Sequence, residues 1–403
     1  MINDMPNQEL IIETAPGQAV RFPSYWLRDH CQCSECSHSD TRQRQLDTFS
    51  LDPSVKATKT TSADNGTEIT WSDGHASQFS WTWLQKHTPF PTPVTTPTTR
   101  HQQTRQWKPS IPATPLQSTD HGSVMSSPFS EGLRQLVTQI HTYGFAFISN
   151  TPASPFATEA LLNHIAPIRV THYGGFWDFT SVVNPIDTAY TNDFLPNHTD
   201  TTYFTDPAGL QLFHLLSHVP ASTFNPQAGD YTPSLGGEST FVDGFAAASK
   251  LYEISPASYQ YLSTVPIVSH ASGSPAGSFC NASQSAAGYP VLIHHSPSLP
   301  IAALKPENLT CVRWNNLDRS PLTQFPTHQA MLSWYKAAKL WSEILSSKEF
   351  EIEVALKPGE PVLFDNWRVL HGRKAFEGKR RVCGGYHAMD DFRAKGRALG
   401  LDI

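Results

Sequence analysis

Asn197-His198-Thr199-Asp200 and Asp365-Asn366-Trp367-Arg368-Val369-Leu370-His371 are the stretches from which the fold of this 403-residue chain is read. Together they hold two imidazoles and one carboxylate. His198 and Asp200 are two positions apart, so an extended strand would send both side chains to one face and offer a nitrogen and an oxygen to a single point. A third ligand from a distant strand would complete one face of an octahedron and leave three positions open, the ligand inventory of a non-haem Fe(II) oxygenase. Arg380, nine residues past His371, carries a guanidinium able to grip a remote carboxylate bidentately, as 2-oxoglutarate binding would need.

Composition narrows the alternatives. With 403 residues and 39% hydrophobic content, the chain suffices for two domains, or for one large domain with an appendage, around a real core. A net charge of -6 provides no basic footprint, so nucleic acid and anionic membranes are poor partners and a small soluble substrate fits better. No apolar run approaches the ~20 residues that span a bilayer. The opening residues Met1 to Glu13 are acidic and lack Arg and Lys, the opposite of a mitochondrial presequence, so the expected location is cytoplasmic, or mitochondrial if a presequence has been removed. Six cysteines do not describe a disulfide scaffold, and Cys280, Cys311 and Cys383 read as buried or half-buried free thiols.

Along the chain, short alternating runs at Ile69–Ser72 and Phe79–Trp83 read as strands. Between His87 and Leu116 the composition turns to Pro, Thr, Gln and Ser, that of an extended connector. The expected division is therefore a small β domain over 1–88, a linker over 89–125 and the main domain over 126–403. In the main domain, Leu133, Leu136, Val137 and Ile140 share one helical face that Gly144 ends, Ser154-Pro155 opens a second helix, and Met331, Tyr335, Ala338 and Trp341 mark a third from about Pro326 to Leu345. Glu349 to Leu356 alternates as a strand. Many strands framed by a few helices predict a mainly β protein, a double-sheet jelly roll with the metal between its sheets.

Cys31, Cys33 and Cys36 supply three thiolates, and a fourth ligand would close a tetrahedral zinc site. His30, His38 and His75 are the candidates. The first two lie so near the thiols that the chain would have trouble reaching the free corner, whereas a distant residue folds back more easily.

A bare His-x-Asp pair arises readily by chance among 18 histidines and 35 acidic residues. The longer strings around it carry more. His198-Thr199-Asp200-Thr201-Thr202-Tyr203-Phe204, Val242-Asp243-Gly244-Phe245 and Phe364 to Arg373 resemble the carnitine-biosynthesis branch of the 2-oxoglutarate-dependent oxygenases, which holds gamma-butyrobetaine hydroxylase and trimethyllysine dioxygenase. The resemblance covers nearly the whole chain. It implies a distorted double-stranded β-helix, iron on His198, Asp200 and His371, 2-oxoglutarate and O2 as cosubstrates with Arg380 on the former, and ascorbate as an activator. Trp26 to Cys36, with Trp71 to His75, is similar to the small zinc-binding domain that precedes the oxygenase in this family, and there the fourth ligand matches His75. A set of Cys31, Cys33, Cys36 and His75 would be closed and structural. Family members are commonly homodimers, so the resemblance implies one here.

Tyr173, Trp177, Tyr190 and Tyr386 fall on positions that resemble the family's aromatic cage for a trimethylammonium group. Such a cage suits a cation that cannot donate hydrogen bonds, each π face contributing ~1 to 2 kcal/mol when desolvated. Asp187 stands where the butyrobetaine enzyme typically has an amide; an anion there would repel a lone carboxylate and pair with an α-ammonium. Asn315 resembles a second polar contact. The resemblance thus implies C3 hydroxylation of trimethyllysine, with butyrobetaine hydroxylation and a non-catalytic trimethyl-lysine binding protein as the rivals. The stretch Ser269 to Ser278 matches the family poorly.

Overall fold

The computed structural model describes residues 8–89, 104–109, 118–181, 191–225, 229–271, 283–284, 288–294 and 300–403. The chain divides into two units, Met1–Thr95 and Thr96–Ile403.

In the first unit, β1 (Glu9–Ala15) pairs antiparallel with β2 (Gln18–Pro23), and β3 (Ala57–Ala63), β4 (Gly66–Trp71) and β5 (Ala76–Ser80) form a three-stranded sheet. Phe22, Leu27, Ile69, Trp71, Phe79 and Leu84 form its core. Helices α1 (Ser24–Asp29) and α2 (Trp81–Lys86) are one to two turns long. The alternation of Phe79–Trp83 predicted one strand, but the strand stops at Ser80. There the Ser80 hydroxyl accepts from the Trp83 N–H at 3.2 Å, and this N-cap turns the two tryptophans into a helix.

Alternation builds the second unit. Its larger sheet takes β6 (Ser118–Asp120), β7 (Phe145–Ser149), β8 (Trp177–Thr180), β10 (Leu210–Val219), β17 (Val362–Asp365) and β19 (Lys379–His387) in the order β6-β7-β17-β10-β19-β8. The smaller sheet is β16-β11-β18-β9, from Glu351–Val354, Ser239–Asp243, Val369–Arg373 and Leu195–His198. Two short pairs, β12 (His270–Ala271) with β13 (Ser283–Gln284) and β14 (Leu292–His294) with β15 (Leu309–Val312), stand apart. Phe364 and Val362 face inward with Phe241, Val369 and Val382 to form the layer between the sheets. Their neighbours Leu363 and Leu212 face outward, under α4 (Glu131–Tyr143), α5 (Pro155–Ile165) and α9 (Met389–Ala398). On the opposite side Val242 and Leu370 meet α6 (Gly244–Ile254), α7 (Pro256–Thr264) and α8 (His328–Leu345). This is the jelly roll expected from the strand pattern, and the same alternation sends His371 inward.

Ser130 caps α4, and Gly144, left-handed at φ 85°, ends it as expected. On α8 the buried face carries Trp334, Ala337, Ala338, Trp341 and Ile344, while Tyr335 is exposed. The face is thus rotated from the expected one: Trp334 joins Trp341 inside in place of Met331 and Tyr335, because its indole buries more area than either would. Within the span expected as the 89–125 linker, residues 104–109 and 118–125 are described. Ser118–Asp120 runs parallel to β7, His121–Met125 is a helix (α3), and Trp107 is buried with its indole N–H donating to the Tyr143 carbonyl at 2.7 Å. Cys311 and Cys383 are buried free thiols, and Cys280 lies outside the described residues. No helix among the described residues is long and apolar enough to cross a membrane.

Candidate active site

The two histidines are brought together by strand register. His371 on β18 is the direct partner of His198 on β9, and their ring centroids lie 4.3 Å apart. Asp200 arrives differently from the expected strand geometry. The strand ends at His198, and Asp200 sits in a turn whose next residue, Thr201, has φ 56°. A left-handed β-branched residue is strained, and here it is held by its hydroxyl, which accepts from the Ala208 N–H at 2.8 Å. Asn366 fixes the turn from both sides: its Oδ1 accepts from the Asp200 N–H at 2.8 Å, and its Nδ2 donates to the Asp200 carbonyl at 3.1 Å.

The turn leaves Asp200 Oδ1 3.2 Å from His198 Nε2 and 3.9 Å from His371 Nε2. One donor atom from each of the three residues lies within 4.8 Å of the others. The far oxygen, Oδ2, accepts from Gln211 Nε2 and from the Tyr386 hydroxyl, both at 2.7 Å, so Oδ1 is the oxygen turned toward the imidazoles. His198 Nδ1 sits 2.8 Å from the Pro196 carbonyl; donating there leaves Nε2 as the ligand atom. Burial and the adjacent His198 push His371 down to about 3. Burial opposes charge on Asp200, but the contact with His198, both imidazoles and the Tyr386 hydroxyl outweigh it and hold the carboxyl well below its usual range. A carboxylate beside a neutral His371 is the protonation state a divalent cation requires. Two nitrogens and one oxygen on one side of a cavity, with open space opposite, fit a metal that keeps positions for other ligands.

That cavity is lined by Tyr173, Trp177, Asn315, Tyr386 and Arg380 from the expected set. Trp177 packs 6.5 Å from Tyr386 and 5.3 Å from Phe213, centroid to centroid. It fits there because Gly384, its cross-strand partner, has no Cβ: one would lie 2.5 Å from the indole. Tyr173 and Tyr203 share a 3.0 Å hydroxyl contact. Asp187 and Tyr190 lie outside the described residues, as does most of the stretch Ser269 to Ser278.

Arg380 is buried on β19, and no carboxylate pairs with it among the described residues. Burial and the neighbouring Arg373 push its guanidinium down to about 9, as expected of a cation without a counter-anion, and an incoming dicarboxylate would relieve that. Arg373 itself lines the cavity and donates to the Thr191 and Asp193 carbonyls at 2.8 and 2.9 Å.

Gln211, Arg373 and Asp318 are cavity residues that the sequence reading missed. Gln211 had a visible signal, a lone amide in the apolar run Leu210–Val219. Its pairing with Tyr386 depends on the register of β10 against β19. Asn366 and Arg368 lie close to the site but act on the frame. Arg368 forms a buried ion pair with Asp243 at 2.8 Å and also donates to the Thr142 and Arg105 carbonyls.

In the first unit the expected sulfur cluster is assembled. His75 Nε2 lies 3.3, 3.4 and 3.6 Å from the Sγ atoms of Cys31, Cys33 and Cys36. A tetrahedral zinc would set ligand atoms about 3.5 Å apart, so these spacings could hold such an ion. His30 Nδ1 contacts the Trp26 carbonyl at 2.7 Å and His38 Nδ1 accepts from the Asp40 and Thr41 N–H groups, which leaves His75 as the fourth corner. Burial, then Arg28, lowers the pKa of His75. Arg28 also donates to Cys36 Sγ at 3.5 Å and to Asp73 at 2.8 Å.

Residues 110–386 match the taurine catabolism dioxygenase TauD, TfdA family, and residues 3–85 match the gamma-butyrobetaine hydroxylase-like N-terminal family. The trimethyllysine dioxygenase of Neurospora crassa is 39% identical over 96% of this chain and 83% of its own length. That of Meyerozyma guilliermondii is 35% identical over 97% and 93%, and the mitochondrial trimethyllysine dioxygenase of Homo sapiens 36% over 95% and 83%. The chain therefore belongs to the TauD, TfdA dioxygenase family and, within it, to the trimethyllysine dioxygenases.

Proposed function

We propose that the chain hydroxylates N6,N6,N6-trimethyllysine at C3, the first step of carnitine biosynthesis, with Fe(II) on His198, Asp200 and His371 and 2-oxoglutarate anchored by Arg380. The observation that carries the reading is one cavity that joins this ligand set, a buried guanidinium without a carboxylate partner among the described residues, and the rings of Tyr173, Trp177 and Tyr386. The chemistry iron supplies when bound is activation of O2, coupled to oxidative decarboxylation of 2-oxoglutarate to succinate and CO2, with the second oxygen atom delivered to a carbon–hydrogen bond.

The chain's own part is placement. Gln211 and Tyr386 hold Asp200 so that a single oxygen faces the metal. Arg380 fixes the remote carboxylate of 2-oxoglutarate, while the rings, joined by Tyr190, hold the trimethylammonium group. Asp187 and Asn315 serve the amino-acid end. Clamping the substrate at both ends brings one carbon–hydrogen bond into reach and turns an encounter into an oriented reaction. The Cys31, Cys33, Cys36 and His75 set would hold a structural zinc, closed to substrate because every corner is filled. Ascorbate as an activator and a homodimer complete the reading, and the mitochondrion is the compartment to test beside the cytosol.

The experiment is mass spectrometry of succinate and hydroxylated product, with anaerobically Fe(II)-loaded protein, 2-oxoglutarate and O2, offered trimethyllysine and butyrobetaine in parallel. A one-oxygen gain on trimethyllysine alone is expected. A gain on butyrobetaine alone overturns the substrate assignment, and no turnover of either with iron bound overturns the catalytic reading.

A further inference from the structure

Among the described residues that line the cavity, Asp200 and Asp318 carry the only carboxylates. Asp200 belongs to the metal-ligand cluster, with both oxygens engaged there. Asp318 lies outside it, on the segment that follows β15. That segment is stitched to Thr199, the residue between His198 and Asp200. The Thr199 N–H donates to the Trp314 carbonyl at 2.7 Å, and the Trp314 N–H donates to Thr199 Oγ1 at 2.9 Å. Asp318 is then held in place twice. Asn315 Nδ2 donates to its Oδ2 at 2.8 Å, and its backbone carbonyl accepts from the His270 N–H at 2.8 Å. Asn315 Oδ1 accepts from Leu317 N–H, so both ends of that amide serve the turn.

The substrate's own geometry says where such a carboxylate is needed. In trimethyllysine the α-nitrogen is two bonds from C3, about 2.5 Å, whereas the quaternary nitrogen is four bonds away, about 5 Å. An ammonium–carboxylate contact adds about 2.8 Å. If C3 faces the metal ligands, the partner of the α-ammonium must lie on the metal side of the cavity, within roughly 6 Å of the reacting carbon, and the aromatic cage must lie farther off. A primary ammonium also has three N–H donors that ring faces leave unsatisfied.

We infer that the Asp318 carboxylate binds the α-ammonium of the substrate and so selects an amino acid over a simple betaine, with Asn315 as the residue that positions it. The inference rests on the reading of the substrate as trimethyllysine. An ammonium offers three N–H groups, so a role for Asp187 does not displace one for Asp318. A betaine presents no N–H there, and its carboxylate would meet repulsion.

The test compares wild type with Asp318→Asn on two substrates, trimethyllysine and its desamino analogue 6-(trimethylammonio)hexanoate. For the variant, kcat/KM on trimethyllysine is expected to fall about 10- to 100-fold, the loss for one charged hydrogen bond. On the desamino analogue it is expected to stay level or rise, with KM for 2-oxoglutarate unchanged. Asp318→Ser, which also keeps an acceptor for Asn315, should show the same collapse of selectivity. Equal losses on both substrates, or none, overturn the inference, because a purely structural residue cannot tell the two apart. If wild type oxidises trimethyllysine and the variants keep its selectivity, the Asp318 assignment alone fails; if wild type oxidises neither compound, the functional reading fails and takes this one with it.

Discussion

Tyr386→Phe removes one oxygen from a residue with two separable tasks. Its ring belongs to the proposed cage, while its hydroxyl is one of two donors on Asp200 Oδ2, each at 2.7 Å. Burial, then the Asp200 carboxylate, raises the phenol well above its ordinary range, so it stays a neutral donor at any working pH. A hydrogen bond to a charged acceptor contributes about 1.5 to 3 kcal/mol. The phenylalanine leaves Gln211 as the remaining donor, and Asp200 gains freedom to swing away from the two imidazoles. At 1.4 kcal/mol per decade the loss amounts to about 10- to 100-fold in metal affinity, which matches the usual cost of removing a group that orients a metal ligand. The assay is anaerobic calorimetric titration of Mn(II) in place of Fe(II), followed by titration of trimethyllysine into the metal-loaded protein with 2-oxoglutarate. Metal affinity should fall by that factor, while trimethyllysine affinity changes less than about threefold because a phenyl face still attracts the cation. An unchanged metal Kd in a variant of unchanged thermal stability would refute the reasoning; a large loss of substrate affinity alone would assign the hydroxyl to the cage.

Arg380→Gln should raise KM for 2-oxoglutarate about 30- to 1,000-fold, the cost of one partner in a buried charged pair, and leave KM for trimethyllysine nearly constant in succinate-release assays; an unchanged KM would remove Arg380 from the site. His214 accepts from the Gly359 N–H at 3.0 Å and contacts Thr158 Oγ1 at 2.7 Å, and burial, then His121, holds it down to about 4. Between its ordinary 6.5 and about 4, an unfolded chain takes a proton that the folded one refuses. Stability is thus full above pH 6.5 and declines toward pH 4, by about 3 kcal/mol from this residue. Urea unfolding of wild type and His214→Gln across that window checks it, since the variant should show a shallower slope. In the first unit, wild type should keep about one zinc per chain after dialysis and Cys36→Ser should lose it. Elemental analysis reads the metal, and hydrogen exchange over residues 57–80 should quicken in the variant.

What the sequence determined by itself is the chemistry available and the local elements that carry it. His198, Asp200, His371 and the Cys31, Cys33, Cys36, His75 set are legible through the longer strings around them, and the structure brings each group together. The cap at Ser130 and the stop at Gly144 are local signals, and α4 obeys both. The alternation of Glu349 to Leu356 was equally legible, and a strand forms over Glu351–Val354. Tertiary structure decided the rest. It placed Asp200 in a turn held by Asn366, set Gln211 opposite Tyr386 so that the two clamp one oxygen, and brought Asp318 into the cavity that His198, Asp200 and His371 line. It also rotated α8 to bury Trp334, and drew Trp107 onto the second unit where composition alone promised a loose connector. These outcomes share one physical cause. Each depends on strand register, on a hydrogen bond between distant turns or on which apolar face buries more area, and all three are settled by contacts between residues far apart in the chain, which no local pattern encodes.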